Sequence, residues 1–197
     1  MRIDYSCFKQ AIDTATLPDI PKGAWFAPTS VFLLFFEREG ATNILAIQKT
    51  DTEGYPWRNQ VALPGGHVDE TDADRLSAAF RELEEEMNIS NDQVELIGSM
   101  GHFQTINQKD IEVFTGVWNQ KGKILYDKTE IARVLEISLS SLFITHHAKK
   151  FHGRMPGIAE LVYPVDNTVV WGATAKIFHY LIELIYPAVN NGKTGTC

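Results

Sequence analysis

The segment from Pro64 to Ile89, PGGHVDETDADRLSAAFRELEEEMNI, places two adjacent glycines ahead of a helix that carries four glutamates within five residues. We expect that helix over Ala73 to Met87. At about 100° of rotation per residue, Glu82, Glu85 and Glu86 share one of its faces. Apolar side chains share a second face, which docks the helix against the rest of the fold. They are Leu76, Phe80, Leu83 and Met87.

Carboxylates three and four residues apart on a helix repel one another, and acids near a helix C-terminus oppose its dipole. Most glutamate-rich helices are simply solvated, so the acids alone leave that interpretation open. The turn Pro64-Gly65-Gly66 favours a metal site, because glycine lets the main chain approach a ligand closely and offer carbonyl oxygens. Mg²⁺ or Mn²⁺, which prefer oxygen ligands, would offset the repulsion.

The rest of the chain alternates between β-rich and helical segments. We expect a first helix near Ile3 to Ala15 and a last one in WGATAKIFHYLIELIY, where apolar residues recur at helical spacing. Strands are expected in the segments SVFLLFFERE, NILAIQKT, QVAL, QVELIGSMGHF and DIEVFTGVWN. HHAKKFHG and AELVYPV are expected to pair as a further hairpin. This alternation predicts an α/β fold with a mixed β-sheet between helices.

Charge and hydropathy exclude two classes of partner. The net charge is −7, and eight acids face two arginines between Asp69 and Glu86, whereas nucleic acids and anionic membranes require basic surface. The most apolar run, VFLLFF, is too short to span a bilayer, and no early segment has the pattern of a secretory leader. We therefore expect a soluble, cytoplasmic protein without nucleic-acid or membrane partners. A homodimer remains open.

The segment that begins at Gly66 resembles the Nudix box, G-x5-E-x7-R-E-U-x-E-E-x-G-U, in which U is aliphatic. Arg81 to Ile89 match its C-terminal half, with Asn88 in place of glycine, a mild change at a helix end. The box expects glutamate at position 72 and arginine at position 80, whereas this chain has Asp72 and an arginine one residue later. A one-residue insertion before the helix restores the register and leaves Asp72 and Glu70 as candidates for the first acid.

This resemblance implies a Nudix α/β/α sandwich, expected over residues 30–188, after an N-terminal helix and connection over 1–29 and before a flexible tail over 189–197. It implies a small-molecule nucleotide substrate, a nucleoside diphosphate linked to another group, which is hydrolysed with Mg²⁺ or Mn²⁺. The implied metal ligands are Glu82, Glu85, Glu86 and a carbonyl of Gly65 or Gly66. Arg81 would orient the acids by ion pairing. The candidates for the general base are Glu85, Glu86, Glu112 and Glu130.

A narrower resemblance is to the coenzyme A pyrophosphatase branch of that family, and it covers roughly residues 30 to 187. It rests on the segments QVALPGGHVDETD, AAFRELEEEMNI, EIARVLEISLSSLF and VVWGATAKIFHYL. It implies cleavage of coenzyme A or acyl-CoA to 3′,5′-ADP and (acyl-)4′-phosphopantetheine. The upstream part departs from the branch motif, because Lys49 and Tyr55 stand near two expected arginines. The candidates for substrate contacts are Lys49, Arg58 and Tyr55.

Two alternatives to this function stay open. The substrate could be another nucleoside diphosphate derivative, such as a dinucleotide, ADP-ribose or a nucleotide sugar. The chain could also be a catalytically silent Nudix domain that binds a nucleotide as a regulator. Outside the box, Tyr55 and Trp57 either stack on an adenine or cover the core. The adjacent His146 and His147 are expected at the surface or in local hydrogen bonds, since neighbouring side chains diverge.

Overall fold

The computed structural model describes residues 1–23, 25–54 and 57–190, with the side chain of Asn190 excepted. The helices and strands follow in the order α1 Tyr5–Thr14, β1 Ala27–Arg38, β2 Ala41–Lys49, β3 Val61–Ala62, β4 Gly65–His67, α2 Arg75–Met87, β5 Val94–Gln104, β6 Lys109–Trp118, β7 Ile131–Ser138, α3 Leu139–Ala148, β8 Tyr163–Val165, β9 Thr168–Val170 and α4 Gly172–Asn190. Among the described helices, none combines the length and the apolar character that crossing a bilayer requires.

Seven of the described strands form one mixed sheet. Its order is β3-β2-β1-β6-β5, with β4 beside β1 and β7 beside β2. β1 and β6 run parallel, and the other pairs in this sheet are antiparallel. The remaining strands, β8 and β9, form a separate hairpin. The expectation of an α/β fold with a mixed β-sheet is confirmed.

The central strand β1 is buried on both faces, which explains its unbroken apolar run. Phe32 and Leu34 point to the face covered by α2, where they join Leu83. Leu33 and Phe35 point to the opposite face, where they pack in a second core with residues of α1, α3 and α4. The period of two along the strand therefore divides the core into two layers and makes α2 the cover of one of them.

Helix α2 begins about two turns before the acidic face. Asp74 caps it by accepting a hydrogen bond from the Ser77 amide at 2.7 Å, so the helix starts two residues later than expected. It ends at Asn88, whose φ of 54° is left-handed, as expected for asparagine in place of glycine. Met87 is buried and Glu84 is exposed, which confirms the division into an apolar and a polar face.

The two glycines expected in a turn lie in the short strand β4. Gly66 pairs with Ser30 of β1 and Gly65 pairs with Val31. Gly65 has a φ of 142°, and a Cβ there would overlap the carbonyl oxygen of Ser30. The close approach of two main chains therefore requires glycine at this position.

The expected hairpin of HHAKKFHG with AELVYPV is wrong. His146 and His147 lie in the last turn of α3, which Ser138 caps through the Ser141 amide at 3.4 Å. Leu139, Leu142 and His146 recur at helical spacing on its buried face, which is the pattern that the hairpin interpretation missed. The hairpin that forms here is β8–β9.

The ends of the chain extend the fold beyond its sheet. In α1, Phe8 and Ile12 pack into the same core as α4, and β1 already begins at Ala27. Helix α4 continues to Asn190. Of residues 189–197, for which we expect a flexible tail, the first two belong to α4, and 191–197 lie outside the described part of the chain.

Candidate active site

Arg81 lies at the centre of the acidic face of α2. Its Nη1 atom donates hydrogen bonds to Glu82 Oε1 at 2.9 Å and to Glu85 Oε2 at 3.0 Å. One guanidinium therefore offsets the repulsion between two carboxylates that share this face. The same side chain donates from Nη2 to the carbonyl oxygen of His67 at 3.0 Å, which ties α2 to β4.

Asp72 also pairs with this arginine, through two of its nitrogen atoms. Arg81 Nε lies 3.0 Å from Asp72 Oδ1, and Nη2 lies 3.0 Å from Oδ2. Hydrogen bonds from Arg81 and from the Asp69 amide hold the pKa of Asp72 below its usual value. The side chain of Asp72 is 6% exposed, whereas Glu70 is exposed. Of the two candidates for the first acid, Asp72 is therefore the one in contact with the cluster.

Glu86 is held from two sides. Lys49 Nζ lies 2.7 Å from Glu86 Oε1, and the Gly65 amide donates to Oε2 at 2.9 Å. The side chains of Lys49 and Glu86 are only 13% and 10% exposed. Lys49, a candidate for substrate binding, is thus engaged with an acid of α2.

Glu82 lies against the main chain of β4. A Cβ at Gly66 would overlap the carboxylate of Glu82, so the glycine leaves the space that this carboxylate fills. Burial raises the pKa of Glu82, and the nearby charges of Glu86 and Glu85 act in the same direction. The expected proximity of Gly66 to the carboxylate face is therefore present in the structure.

The acids of α2 line one side of a cavity of about 340 Å³. Asp127, Glu130 and Ile131 line the other side. Hydrogen bonds from Thr129 hold the pKa of Asp127 below its usual value, so this acid is ionised at neutral pH. Thr50 fixes the loop that carries Asp127 and Glu130, because the Thr50 amide donates a hydrogen bond to the carbonyl oxygen of Glu130 at 2.9 Å. Asp127 was not found from the sequence, since only the fold brings its loop beside α2.

The donor set of this cavity suits a hard divalent cation. Five carboxylates line it, and they belong to Glu82, Glu85, Glu86, Asp127 and Glu130. The ion pairs of Lys49 and Arg81 supply two positive charges against these five negative ones. Such an excess of oxygen ligands with negative charge is what Mg²⁺ and Mn²⁺ prefer. The residues present therefore fit the expected metal ions.

Glu112 lies apart from this cavity. On the sheet it pairs with Ser30, which in turn pairs with Gly66, so the Cα atoms of Glu112 and Gly66 are separated by two strand spacings, roughly 10 Å. Its Oε2 atom lies 3.8 Å from Arg75 Nε and 4.0 Å from His102 Nε2. The structure brings Glu85, Glu86 and Glu130 together and leaves the fourth base candidate outside the cavity lining.

A buried polar network joins the start of α2 to β5 and β6. Asp110 is fully buried and contacts Arg75 Nη1 at 2.9 Å and His102 Nδ1 at 2.8 Å. Gln104 donates to its other oxygen at 2.9 Å. The sequence signal was the alternation of polar residues at a period of two in both strands, which places them on one sheet face.

The other candidates for substrate contacts are Tyr55 and Arg58. Tyr55 lies outside the described residues, and Arg58 is exposed, with Nε 3.9 Å from Asp51 Oδ1. Lys109 Nζ lies 4.3 Å above the ring of Trp57 and 3.1 Å from His67 Nε2. Burial lowers the pKa of Lys109. We call Trp57, Lys109 and His67 the aromatic–basic patch.

Comparison with known proteins adds a family and a fold. Residues 27–156 match the family model described as NUDIX domain. A protein named Uncharacterized Nudix hydrolase NudL from Photorhabdus laumondii is 27% identical over 128 residues, which are 64% of this chain and 68% of that protein. The protein of the same name from Escherichia coli K12 is 30% identical over 124 residues, 62% of this chain and 65% of that protein. The matched segment thus spans about two thirds of the length of these relatives.

Two solved structures share the fold. An Ap4A hydrolase binary complex from C. elegans has a TM-score of 0.53 at 18% identity, over 84% of this chain and 98% of that one. A MutT/nudix family protein from Enterococcus faecalis has a TM-score of 0.53 at 13% identity, over 95% of this chain and 76% of that one. At these identities the likeness concerns the fold alone.

Proposed function

The chain belongs to the NUDIX domain family and is a hydrolase of pyrophosphate-containing substrates, and from this premise we propose that its substrate is coenzyme A or an acyl-CoA. Water attacks one phosphorus of the pyrophosphate, and the bridging P–O bond breaks. The products are 3′,5′-ADP and 4′-phosphopantetheine, or its acyl derivative.

The observation that carries this proposal is the convergence of five carboxylates on one cavity. A pyrophosphate is anionic, so these carboxylates would repel it unless cations lie between them. Glu82, Glu85, Glu86 and the carbonyl of Gly66 would hold Mg²⁺ or Mn²⁺. When bound, such ions neutralise phosphate charge and lower the pKa of water.

The residues of the chain itself divide the remaining work. Arg81 positions Glu82 and Glu85, and Asp72 fixes Arg81 from the other side. Lys49 and the Gly65 amide hold both oxygens of Glu86, which makes this residue a rigid ligand rather than a mobile base.

The proton of the attacking water requires a carboxylate with room to move. Glu85 is 61% exposed, and Arg81 engages one of its oxygens, so we assign the general base to Glu85. Glu130 lines the same cavity and is the alternative. Glu112, which pairs with Arg75 and His102, serves the polar network instead.

Coenzyme A is favoured by the sequence resemblance and by the surface beside β4. The aromatic–basic patch offers the ring of Trp57 and the ammonium group of Lys109 next to the glycines that approach the acids. An adenine with a 3′-phosphate suits such a surface, because it can stack on the ring and pair with the ammonium. Because Lys49 forms an ion pair with Glu86, we assign the contact with the 3′-phosphate to Lys109 and Arg58.

A substrate panel tests this proposal. Coenzyme A, dephospho-coenzyme A, ADP-ribose, NADH and diadenosine tetraphosphate are incubated with the protein and Mg²⁺ or Mn²⁺, and chromatography identifies the products. We expect 3′,5′-ADP and 4′-phosphopantetheine from coenzyme A. Hydrolysis of ADP-ribose or a dinucleotide, with coenzyme A intact, would reject the substrate but keep the hydrolase. Binding of nucleotides without any cleavage would instead indicate a silent regulator.

A further inference from the structure

A second group of metal-ligating side chains lies on the sheet face opposite α2. His146 lies in the last turn of α3, while His179 and Glu183 lie four residues apart on α4 and so share a helix face. Each of the three offers a ligand atom, and these atoms lie within 4.8 Å of one another. Both histidines are buried, at 0% and 3% exposure.

His179 is held in the form that a metal ligand requires. Its Nε2 atom lies 2.9 Å from the carbonyl oxygen of Arg154 and 3.4 Å from that of Phe151, so Nε2 carries the proton and donates it. Nδ1 then has a free lone pair. It is buried and has no hydrogen-bond partner within the described part of the chain. A buried acceptor without a partner costs free energy, and a bound cation would remove that cost.

His146 and Glu183 are also oriented by their neighbours. Tyr163 Oη lies 2.9 Å from His146 Nδ1, which leaves Nε2 on the side of Glu183 Oε1 at 2.8 Å. The Gly153 amide donates to Glu183 Oε2 at 3.0 Å. Ligands in metal sites are characteristically fixed by such hydrogen bonds to their other atoms.

We propose that His146, His179 and Glu183 form a structural site for a transition-metal ion of the zinc class. Imidazole nitrogens combined with a carboxylate suit Zn²⁺ better than Mg²⁺. Tetrahedral zinc with bonds of about 2.1 Å holds its ligand atoms roughly 3.4 Å apart. The ligand atoms of the three side chains must therefore move slightly closer together when the ion binds. His152, 48% exposed and 2.9 Å from Glu183 Oε1, is the candidate fourth ligand.

This ion would act on stability rather than on hydrolysis. It would link the end of α3 to α4, while Tyr163 connects it to β8. Helix α2, which carries the carboxylates of the cavity, packs on the other face of the sheet through Ala79, Leu83 and Met87. Loss of the zinc site therefore leaves the Mg²⁺-dependent site in place, and the two can be tested separately.

The test starts from protein that comprises residues 1–197, which is stripped of metal with EDTA and titrated with Co²⁺, an ion that absorbs in the visible range when its coordination is tetrahedral. We expect one equivalent to give this absorption, and saturating Zn²⁺ to raise the Tm by about 5 °C. His179→Gln and Glu183→Gln should lose both effects, while Glu85→Gln should keep them. The matched control is His147→Gln, which changes an exposed histidine of the same helix turn.

Two results would overturn the proposal. One is a wild-type protein with neither absorption nor a Tm shift, which would leave the cluster as a hydrogen-bond network. The other is equal binding by His179→Gln and His147→Gln. If a variant fails to fold, X-ray absorption at the zinc edge of the wild-type protein shows which atoms coordinate the ion and so decides whether the site exists. An ion shell containing imidazole supports the site, and a shell of oxygen alone refutes it.

Discussion

Arg81 and Asp72 form a two-pronged ion pair, Nε to Oδ1 and Nη2 to Oδ2, with both distances at 3.0 Å. The pair closes the connection between β4 and α2, where the chain carries one residue more than the Nudix box. Because Arg81 also holds Glu82 and Glu85, the position of Asp72 is transmitted to two acids of the cavity.

Asp72→Asn should lower the stability of the protein in a pH-dependent way. The pKa of Asp72 is depressed in the folded state, so its contribution is fully present above the unfolded pKa near 3.8. It is lost as the pH falls through the folded pKa. We therefore expect the variant to have a lower Tm than the wild type at about pH 7, and we expect this difference in Tm to disappear below about pH 4. A difference in Tm that stays constant between about pH 7 and about pH 4 would show that Asp72 does not titrate as described. Glu70→Gln is the matched control and should leave the Tm unchanged.

Gly66→Ala should damage activity more than folding. The added Cβ meets the far end of the flexible Glu82 side chain, which can move aside without unfolding the protein. Displacing this carboxylate should lower kcat by at least about tenfold. Gly65→Ala provides the contrast, since its Cβ meets the Ser30 carbonyl and the main chain must shift. It should lower the Tm. Identical effects of the two variants on kcat and Tm would contradict this division.

Lys49→Gln should destabilise the metal-free protein and increase its response to Mg²⁺. Removing one partner from a largely buried ion pair leaves the Glu86 charge uncompensated, at a cost of about 2 kcal/mol, or roughly 6 °C in Tm. A divalent cation can replace that charge. We therefore expect a larger Mg²⁺-induced rise in Tm for the variant than for the wild type, measured by calorimetry after EDTA treatment. Equal rises would mean that the cation binds away from Glu86.

Lys109→Met should reveal the contact with the 3′-phosphate. A charge-assisted contact is worth roughly 1.5–3 kcal/mol, so kcat/KM for coenzyme A should fall at least about tenfold. For dephospho-coenzyme A, which lacks this phosphate, the same substitution should lower kcat/KM much less. Lys121→Met is a control on an exposed lysine at another position. If Lys109→Met lowers the rates for both substrates equally, the side chain contacts another part of the molecule.

The sequence predicted what a single element determines. The period of α2 was enough to bring Glu82, Glu85 and Glu86 to one face, and the apolar run of β1 was enough to identify a strand. It did not predict β4, because three residues with two glycines carry no strand signal of their own. Asp127 lies about forty residues beyond α2, and only the pairing of the strands places it beside the acids. His146 was misjudged, because only the packing of α4 beside α3 brings His179 and Glu183 next to it.

The central claim is that the carboxylates of α2 hold the ions that hydrolysis requires. Its most direct test is kcat with coenzyme A and Mg²⁺ for Glu85→Gln and Glu86→Gln, beside Glu84→Gln, an exposed glutamate of the same turn. We predict that the first two lower kcat by at least about 100-fold with unchanged folding by circular dichroism, and that Glu84→Gln stays within about threefold. Rates within about threefold of wild type for both Glu85→Gln and Glu86→Gln would contradict it.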